Sequence, residues 1–340
     1  MGGRSSCPLT GSKKKLERQT TYLTLTNPSA LITELRHSGQ GSRFSAPDEE
    51  YLQLIVAQIL PDYFGLARND GTGVALRQIA VEFQHRHHDD WLRDVLQLHR
   101  SPAAKLSFLA VAKAAQALDA EDSATAEAQA IAAIKLFRSE GTMPGLLLAQ
   151  LQHVAALQLQ SRYAECAKAS EPLTQSLQHY NYPWLHTLAL LEQGTCQTWA
   201  HEFDQGGRQY NEALALAETS SYPVLRLRTF GLRANRQQVF VGSTADAWKN
   251  GAKGLSQYWD GLYPPSRVRD LYSVYASLAE SMNLKQAGIQ WTKELTYIAL
   301  LLQRKDLYAI CMYLLATAEN AADLYPDAVR HLNEASSLHK

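Results

Sequence analysis

The chain has 340 residues, of which 46% are apolar and 19% charged, enough apolar surface to build a core and too much for wholesale disorder. Its 33 Lys and Arg balance 33 Asp and Glu, so no general attraction to nucleic acid or to an anionic membrane is encoded, and charge recognition has to be local. The four cysteines, Cys7, Cys166, Cys196 and Cys311, lie far apart with no CxxC pair, which argues against a zinc site or a disulfide framework and favours a reducing cytoplasm. No apolar run reaches the roughly 18 to 20 residues of a membrane span; the candidate Tyr297 to Leu302 is interrupted within two turns.

Residues 1 to 47 are rich in Ser, Gly, Thr and Lys and cannot offset the entropy of ordering, so they are expected to be a disordered polar leader. Met1 to Lys15 has basic residues but no apolar stretch of the kind a secretory signal needs. Met1-Gly2 with Ser6 satisfies the short myristoylation pattern, and Cys7 with Lys13 to Lys15 stands where a second anchor would lie; the competing reading is a plain polar leader.

From Asp48 the pattern changes. Tyr51, Leu52, Ile55, Val56 and Ile59 recur at helical spacing until Pro61, behind the acidic start Asp48, Glu49 and Glu50. Further helices are expected over Val74 to Gln84 and Asp89 to Leu98, the latter with Trp91, Leu92, Val95 and Leu96 inward, and Ser101-Pro102 closes this N-terminal helical block, residues 48 to 102.

Residues 103 to 340 are dominated by a repeat. Pro144, Pro183, Pro223 and Pro264 follow at intervals of 39, 40 and 41, three of them preceded by Tyr182, Tyr222 and Tyr263. Proline suits the first turn of a helix, where its missing N–H is not needed, so each opens a unit. A second register runs through Ser123, Tyr163, Phe203, Thr244, Leu284 and Tyr325, and three residues beyond each stands a small one: Ala126, Cys166, Gly206, Ala247, Ala287 and Ala328. Two helices of a hairpin approach closely only where a side chain is nearly absent, which gives the pattern a mechanical cause. In the third unit the series Gly194, Phe203, Gly206, Tyr210, Ala213 is complete; the last gives Ala316, Tyr325, Ala328, Leu332, Ala335.

This small and aromatic series resembles the tetratricopeptide repeat (TPR), with a period of about 40 residues against the usual ~34, and is similar to long-repeat arrays of the kinesin light chain type. A HEAT array has a comparable period but lacks this register. The expected fold is all-α: a right-handed superhelical solenoid of about six helix-turn-helix units, the last incomplete or uncapped. Trp91-Leu92, Tyr182-Pro183-Trp184, Glu192 to Cys196, Glu202-Phe203-Asp204, Ser221 to Leu225, Gln257-Tyr258-Trp259 and Tyr263-Pro264-Pro265 resemble the TPR region of bacterial CHAT-domain proteins, where such an array precedes a caspase-like Cys-His peptidase domain. The resemblance implies a bacterial, cytoplasmic, regulatory region. It supplies no catalytic residue, since no cysteine here stands in a caspase-like context with a partner histidine.

Candidate chemistry is sparse. His85, His87 and His88 with Asp89 and Asp90 invite a metal reading but lack a third ligand at recognisable spacing, and read as a solvated turn. Cys166 and Cys196 read as small core residues. Gly71-Thr72-Gly73 has neither the preceding strand nor the lysine of a phosphate loop, and Gly206-Gly207 belongs to repeat packing. No metal, cofactor or catalytic residue is assigned, and the chain is read as a non-enzyme.

The site left is the concave groove, taken to be marked eight residues before each turn position by Ala115, Ala155, Thr195, Arg236, Ala276 and Thr317, with Trp199, Arg233, Arg269 and Tyr272 beside them. Arginine and aromatic side chains concentrate binding energy, so Thr195, Trp199, Arg233, Arg236, Arg269 and Tyr272 are expected to hold a protein or peptide, with an acidic segment the natural ligand. The bland alternative is a solvated arginine stripe. A different role, as sensor arm of a peptidase acting in cis or in trans, follows from the CHAT resemblance.

Overall fold

The computed structural model describes residues 48–65, 71–260, 263, 267–301 and 305–338. The leader 1–47 with its lipidation pattern, Pro264 and Pro265, Leu302 and the terminal His339-Lys340 lie outside the described residues. Among these residues the regular structure is helical throughout. The chain forms two compact units, the first ending at Arg226 and the second beginning at Leu227.

In the first unit, α1 (Asp48–Leu54) runs through a π turn (Ile55–Ile59) into α2 (Leu60–Gly65), followed by α3 (Gly71–His87) and α4 (Trp91–Gln97). The expected stop at Pro61 is corrected, because the helix continues to Gly65. Proline lacks an N–H and crowds the carbonyl four residues back. The π turn absorbs this locally: Leu60 N–H bonds Ile55 O, and the Ala57 carbonyl accepts instead from Gln116 Nε2 at 2.9 Å.

Three hairpins follow: α5 (Pro102–Asp119) with α6 (Ser123–Glu140), α7 (Met143–Leu159) with α8 (Tyr163–Leu177), and α9 (Pro183–Trp199) with α10 (Phe203–Thr219). Ser101 caps α5, its Oγ accepting from Ala104 N–H at 3.0 Å, with Pro102 in the first turn. The N-terminal block and the hairpins share one apolar core, in which Phe64 stacks on Phe108 at 4.4 Å. Helix α11 (Pro223–Arg236) begins in this unit and continues into the second. There it ends in a π turn (Gln237–Val241), and α12 (Thr244–Asp260), α13 (Arg269–Ser281), α14 (Lys285–Leu301), α15 (Lys305–Ala321) and α16 (Tyr325–Leu338) complete the chain.

The turns inside the six hairpins share one plan, with the fourth widened by a π turn. The residue that ends the first helix has positive φ at Glu121, Ser161, His201, Gly242, Asn283 and Asp323. In five of the six the next N–H reaches five residues back, as Asp122 N–H to Ala117 O at 2.9 Å and Leu284 N–H to Ala279 O at 2.7 Å, closing the left-handed C-terminal cap of a helix. Two residues after the positive-φ position the second helix begins. Its fourth residue then makes the first helical bond: Ala126, Cys166, Gly206, Ala247, Gly288 and Ala328 N–H bond Asp122, Arg162, Glu202, Ser243, Leu284 and Leu324 O at 2.9 to 3.1 Å.

In the fifth hairpin this corrects the expected register by one residue. The cap formed by Asn283 places the helix start at Lys285 rather than Leu284, so the buried small residue is Gly288 and Ala287 is only half-buried. The other five small positions, Ala126, Cys166, Gly206, Ala247 and Ala328, are buried as expected.

A glycine-to-glycine approach marks the third hairpin. A Cβ on Gly206 would stand 2.7 Å from Gly194 O, and one on Gly194 2.8 Å from the Tyr210 ring, so two backbones meet where neither residue has a side chain. Gly206→Ala should cost about 1 to 3 kcal/mol of overpacking, read as a lower midpoint in chemical denaturation. Conversely, Glu121 holds φ at 57° without being glycine. Left-handed backbone costs an L-residue roughly 1 kcal/mol, so Glu121→Gly should raise stability by about 0.5 to 1 kcal/mol in the same assay.

Candidate functional site

Proline at the first position of a helix leaves the N–H groups of the next two residues without an intrahelical partner and with the positive end of the helix dipole behind them. The N-terminal block supplies carboxylates to these ends. Asp89 Oδ2 accepts from Trp184 N–H at 2.9 Å, at the start of α9, and from the Tyr222 hydroxyl at 2.9 Å, while its Oδ1 takes Trp91 N–H at 2.9 Å. Glu49 Oε1 accepts from Val224 N–H at 2.8 Å and Leu225 N–H at 3.4 Å, at the start of α11. The Trp91 indole donates to Pro144 O at 3.2 Å, at the start of α7.

The repeated prolines thus mark the docking line of the block. His87 lies between the two carboxylates, stacked on Tyr222 at 4.2 Å with Nδ1 2.9 Å from Ser220 O. Around this node Tyr182 donates to Asp94 at 2.8 Å, and Asn181 bonds both the backbone and the carboxylate of Asp90.

The expectation of a solvated His-Asp turn is therefore corrected: His87 is 4% and Asp89 2% exposed, and only His85 and His88 face outward. Capping of α9 draws Asp89 inward, and the Ser220 carbonyl and the Tyr222 ring hold His87 there. Among the described residues no group of three or more His, Cys, Asp or Glu is placed to hold a metal.

Burial pushes the Glu49 carboxyl up to about 8 against the pull of its own backbone N–H and that of Val224, and Asp89 up to about 6 against three donors. From about pH 4.5 to 8 the folded chain therefore keeps a proton on Glu49 that the unfolded chain has lost, so stability falls as pH rises through that window. The denaturation midpoint should be higher at pH 6.5 than at pH 8.5, with Glu49→Gln flattening the difference; a midpoint rising with pH in the wild type alone would contradict the assignment.

The remaining groove residues separate. In the first unit Thr195 is buried against its own hairpin partner, its hydroxyl donating to Leu191 O at 2.8 Å and accepting from Tyr210 at 3.1 Å. Trp199, 42% exposed, stacks on Tyr163 of α8 at 5.5 Å. Of the other face markers, Ala115, Ala155 and Ala276 are half-buried, and Thr317 is exposed with its hydroxyl on Tyr313 O.

In the second unit Arg233 and Arg236 are half-buried on α11, and Arg269 Nε lies 3.3 Å from Asp270 Oδ1. The Arg269 charge also reaches the buried thiol of Cys311, which burial pushes up to about 11 and the guanidinium pulls down. Tyr272 is buried in an aromatic cluster with Tyr258, Tyr275 and Trp291, its ring 5.5 Å from that of Trp291, and burial holds its hydroxyl above the usual range. Trp259 stacks on Trp291 at 6.4 Å and is 55% exposed.

One pairing escaped the sequence reading. Cys166 and Cys196 are joined by a disulfide, with Cα atoms 5.8 Å apart, where two independent small core residues and a reduced chain were expected. Thirty residues of separation say nothing about distance once a hairpin step folds α8 against α9. Among the described residues Cys311 is buried and unbonded to another cysteine.

These features define a class: an all-α protein of stacked helix-turn-helix repeats, with an N-terminal helical block capping its first units. No family profile and no curated protein matches the chain. Among solved structures it is similar to a Rap protein complexed with competence and sporulation factor, with TM-score 0.52 and 11% identity over 100% of this chain and 88% of that one. It is also similar to BtubC (BKLC) from P. vanneervenii, with TM-score 0.50 and 11% identity over 70% and 91%. At that identity the likeness is one of fold. No helix among the described residues is long and apolar enough to cross a membrane.

Proposed function

We propose that the chain is a non-catalytic interaction scaffold that captures an acidic segment of a protein or peptide on its second unit. Arg233, Arg236 and Arg269 serve as the carboxylate-binding groups, and Tyr272 belongs to the apolar floor beside them. Thr195 and Trp199 do not enter this reading, because both are engaged inside the first unit.

The observation that carries the reading is the charge of α11. Its sequence holds Arg226, Arg228, Arg233 and Arg236 and no acidic residue, although the whole chain is neutral. Half-buried guanidinium groups are partly desolvated, so a carboxylate offered in a two-pronged geometry gains more there than at a fully hydrated surface. The exposed Trp259 adds a large apolar contact close to the same cluster. The likeness to a Rap protein solved with competence and sporulation factor favours a peptide-sized occupant over a small metabolite. The CHAT-type sequence phrases favour a further role for such a scaffold, as the arm that informs a peptidase domain in cis or in trans, and that role rests on those phrases alone.

The test probes the full chain with arrays of acidic, neutral and basic peptides. Acidic peptides should be retained, and the triple variant Arg233→Glu, Arg236→Glu, Arg269→Glu should bind them at least about 100-fold more weakly with an unchanged helical circular dichroism spectrum. Equal retention of all three classes, or equal binding by the variant, would overturn the reading.

A further inference from the structure

We propose that Cys166 and Cys196 are a redox site: a bond made and broken by dithiol exchange that sets how tightly the second hairpin is held to the third. The two residues belong to adjacent hairpins, Cys166 to the second helix of one and Cys196 to the first helix of the next, and both are 0% exposed. One repeat earlier the same two places are held by Ala126 and Ala156, which are equally buried and pack in one cluster. The fold therefore closes this seam with two methyl groups elsewhere. The bond is an addition to the repeat rather than a condition of it.

The surroundings give the bond a reader. Tyr163 lies one turn before Cys166 on α8 and Trp199 one turn after Cys196 on α9, and their rings stack at 5.5 Å. Helix α9 is also the element whose start is held by Asp89 and whose middle meets α10 at Gly194 and Gly206. It is thus fixed at its start by the N-terminal block and along its length by its own partner. The disulfide is the covalent tie toward α8.

The chemistry balances with one reductant of the dithiol class. A thiolate of the reductant attacks one sulfur, the other leaves as a thiolate and takes a proton, and the second thiol of the reductant resolves the mixed disulfide. The chain gains two electrons and two protons, and the reductant becomes a disulfide. Two buried thiols then replace the bond, and α8 and α9 lose their covalent tie. Because neither sulfur is exposed, exchange proceeds through opening of the seam, slowly in the folded chain and quickly once it is loosened.

The experiment uses the full chain purified without reductant. Thiol titration in denaturant should find two reactive groups, Cys7 and Cys311, and four after treatment with dithiothreitol. The reduced wild type should melt about 5 °C or more below the oxidised form, with a change in Trp emission that Trp199→Phe removes. The double variant Cys166→Ala, Cys196→Ala should fold, as its neighbour with alanines does, and melt at one temperature with or without dithiothreitol. Four reactive thiols before reduction, or equal melting of oxidised and reduced wild type, would overturn the proposal, and both readings use the wild-type chain should the double variant fail to fold.

Discussion

A helix pair can bring its backbones together only where the side chain between them is close to nothing, and each of the six described hairpins carries a small, buried residue at the same early place in its second helix, the third with the tightest glycine-to-glycine contact. The fourth residue of the second helix is Ala, Cys, Gly, Ala, Gly or Ala, and in each case its N–H makes the first bond of that helix to the residue that leaves the turn. Small size and early position are linked. The turn has just delivered the second helix against the first, and in the third hairpin a larger group at this place would push the two apart, whereas Gly288 of the fifth leaves room for a Cβ. The left-handed residue ahead of it sets the angle of delivery, and one local geometry, repeated, is enough to generate the array.

A second constraint acts at the other end of the hairpins. Proline at a helix start saves one N–H but leaves its successors to be satisfied from outside, and in the first unit the outside partner is the N-terminal block. Glu49 and Asp89 meet those donors in places from which water is excluded, so the attraction of the helix ends works against the cost of burying charge. Burial dominates in both carboxyls. The block is consequently not an appendage with its own core: its aromatic and aliphatic residues continue the core of the hairpins, and its polar groups complete their ends.

The all-α class, the period and five of the six small positions were legible in the sequence because they follow from spacing alone. The sixth, near Gly288, was missed by one residue because Leu284 fits a hydrophobic register as well as its neighbour does, and only the cap at Asn283 decides. The burial of His87 and Asp89 was not legible. A short run of His and Asp between two helices looks solvated unless the chain that returns to cover it, here Ala217 to Leu225, is known. The same holds for Cys166 with Cys196 and for Thr195, whose outward appearance on a helical wheel was overruled by Tyr210 on the partner helix. The arginines of α11 were legible as a charge pattern, since that needs no tertiary knowledge. The acidic pairs at Glu49 and Asp89, set against the Tyr-Pro steps, were the available clue to the docking line, but nothing in a linear string says which acid faces which helix.

The widened turn at Gln237–Val241 changes how length variation in such an array can be understood. Ser243 N–H reaches six residues back to Gln237 O, and Ala247 still lands on its small-residue mark. One surplus amino acid has been housed inside a helix, on a stretch with no fully buried side chain, without disturbing what comes after it. An extra residue at this place is therefore structurally cheap. A one-residue difference in repeat length can be taken up in this way while the small-residue contact that follows keeps its place.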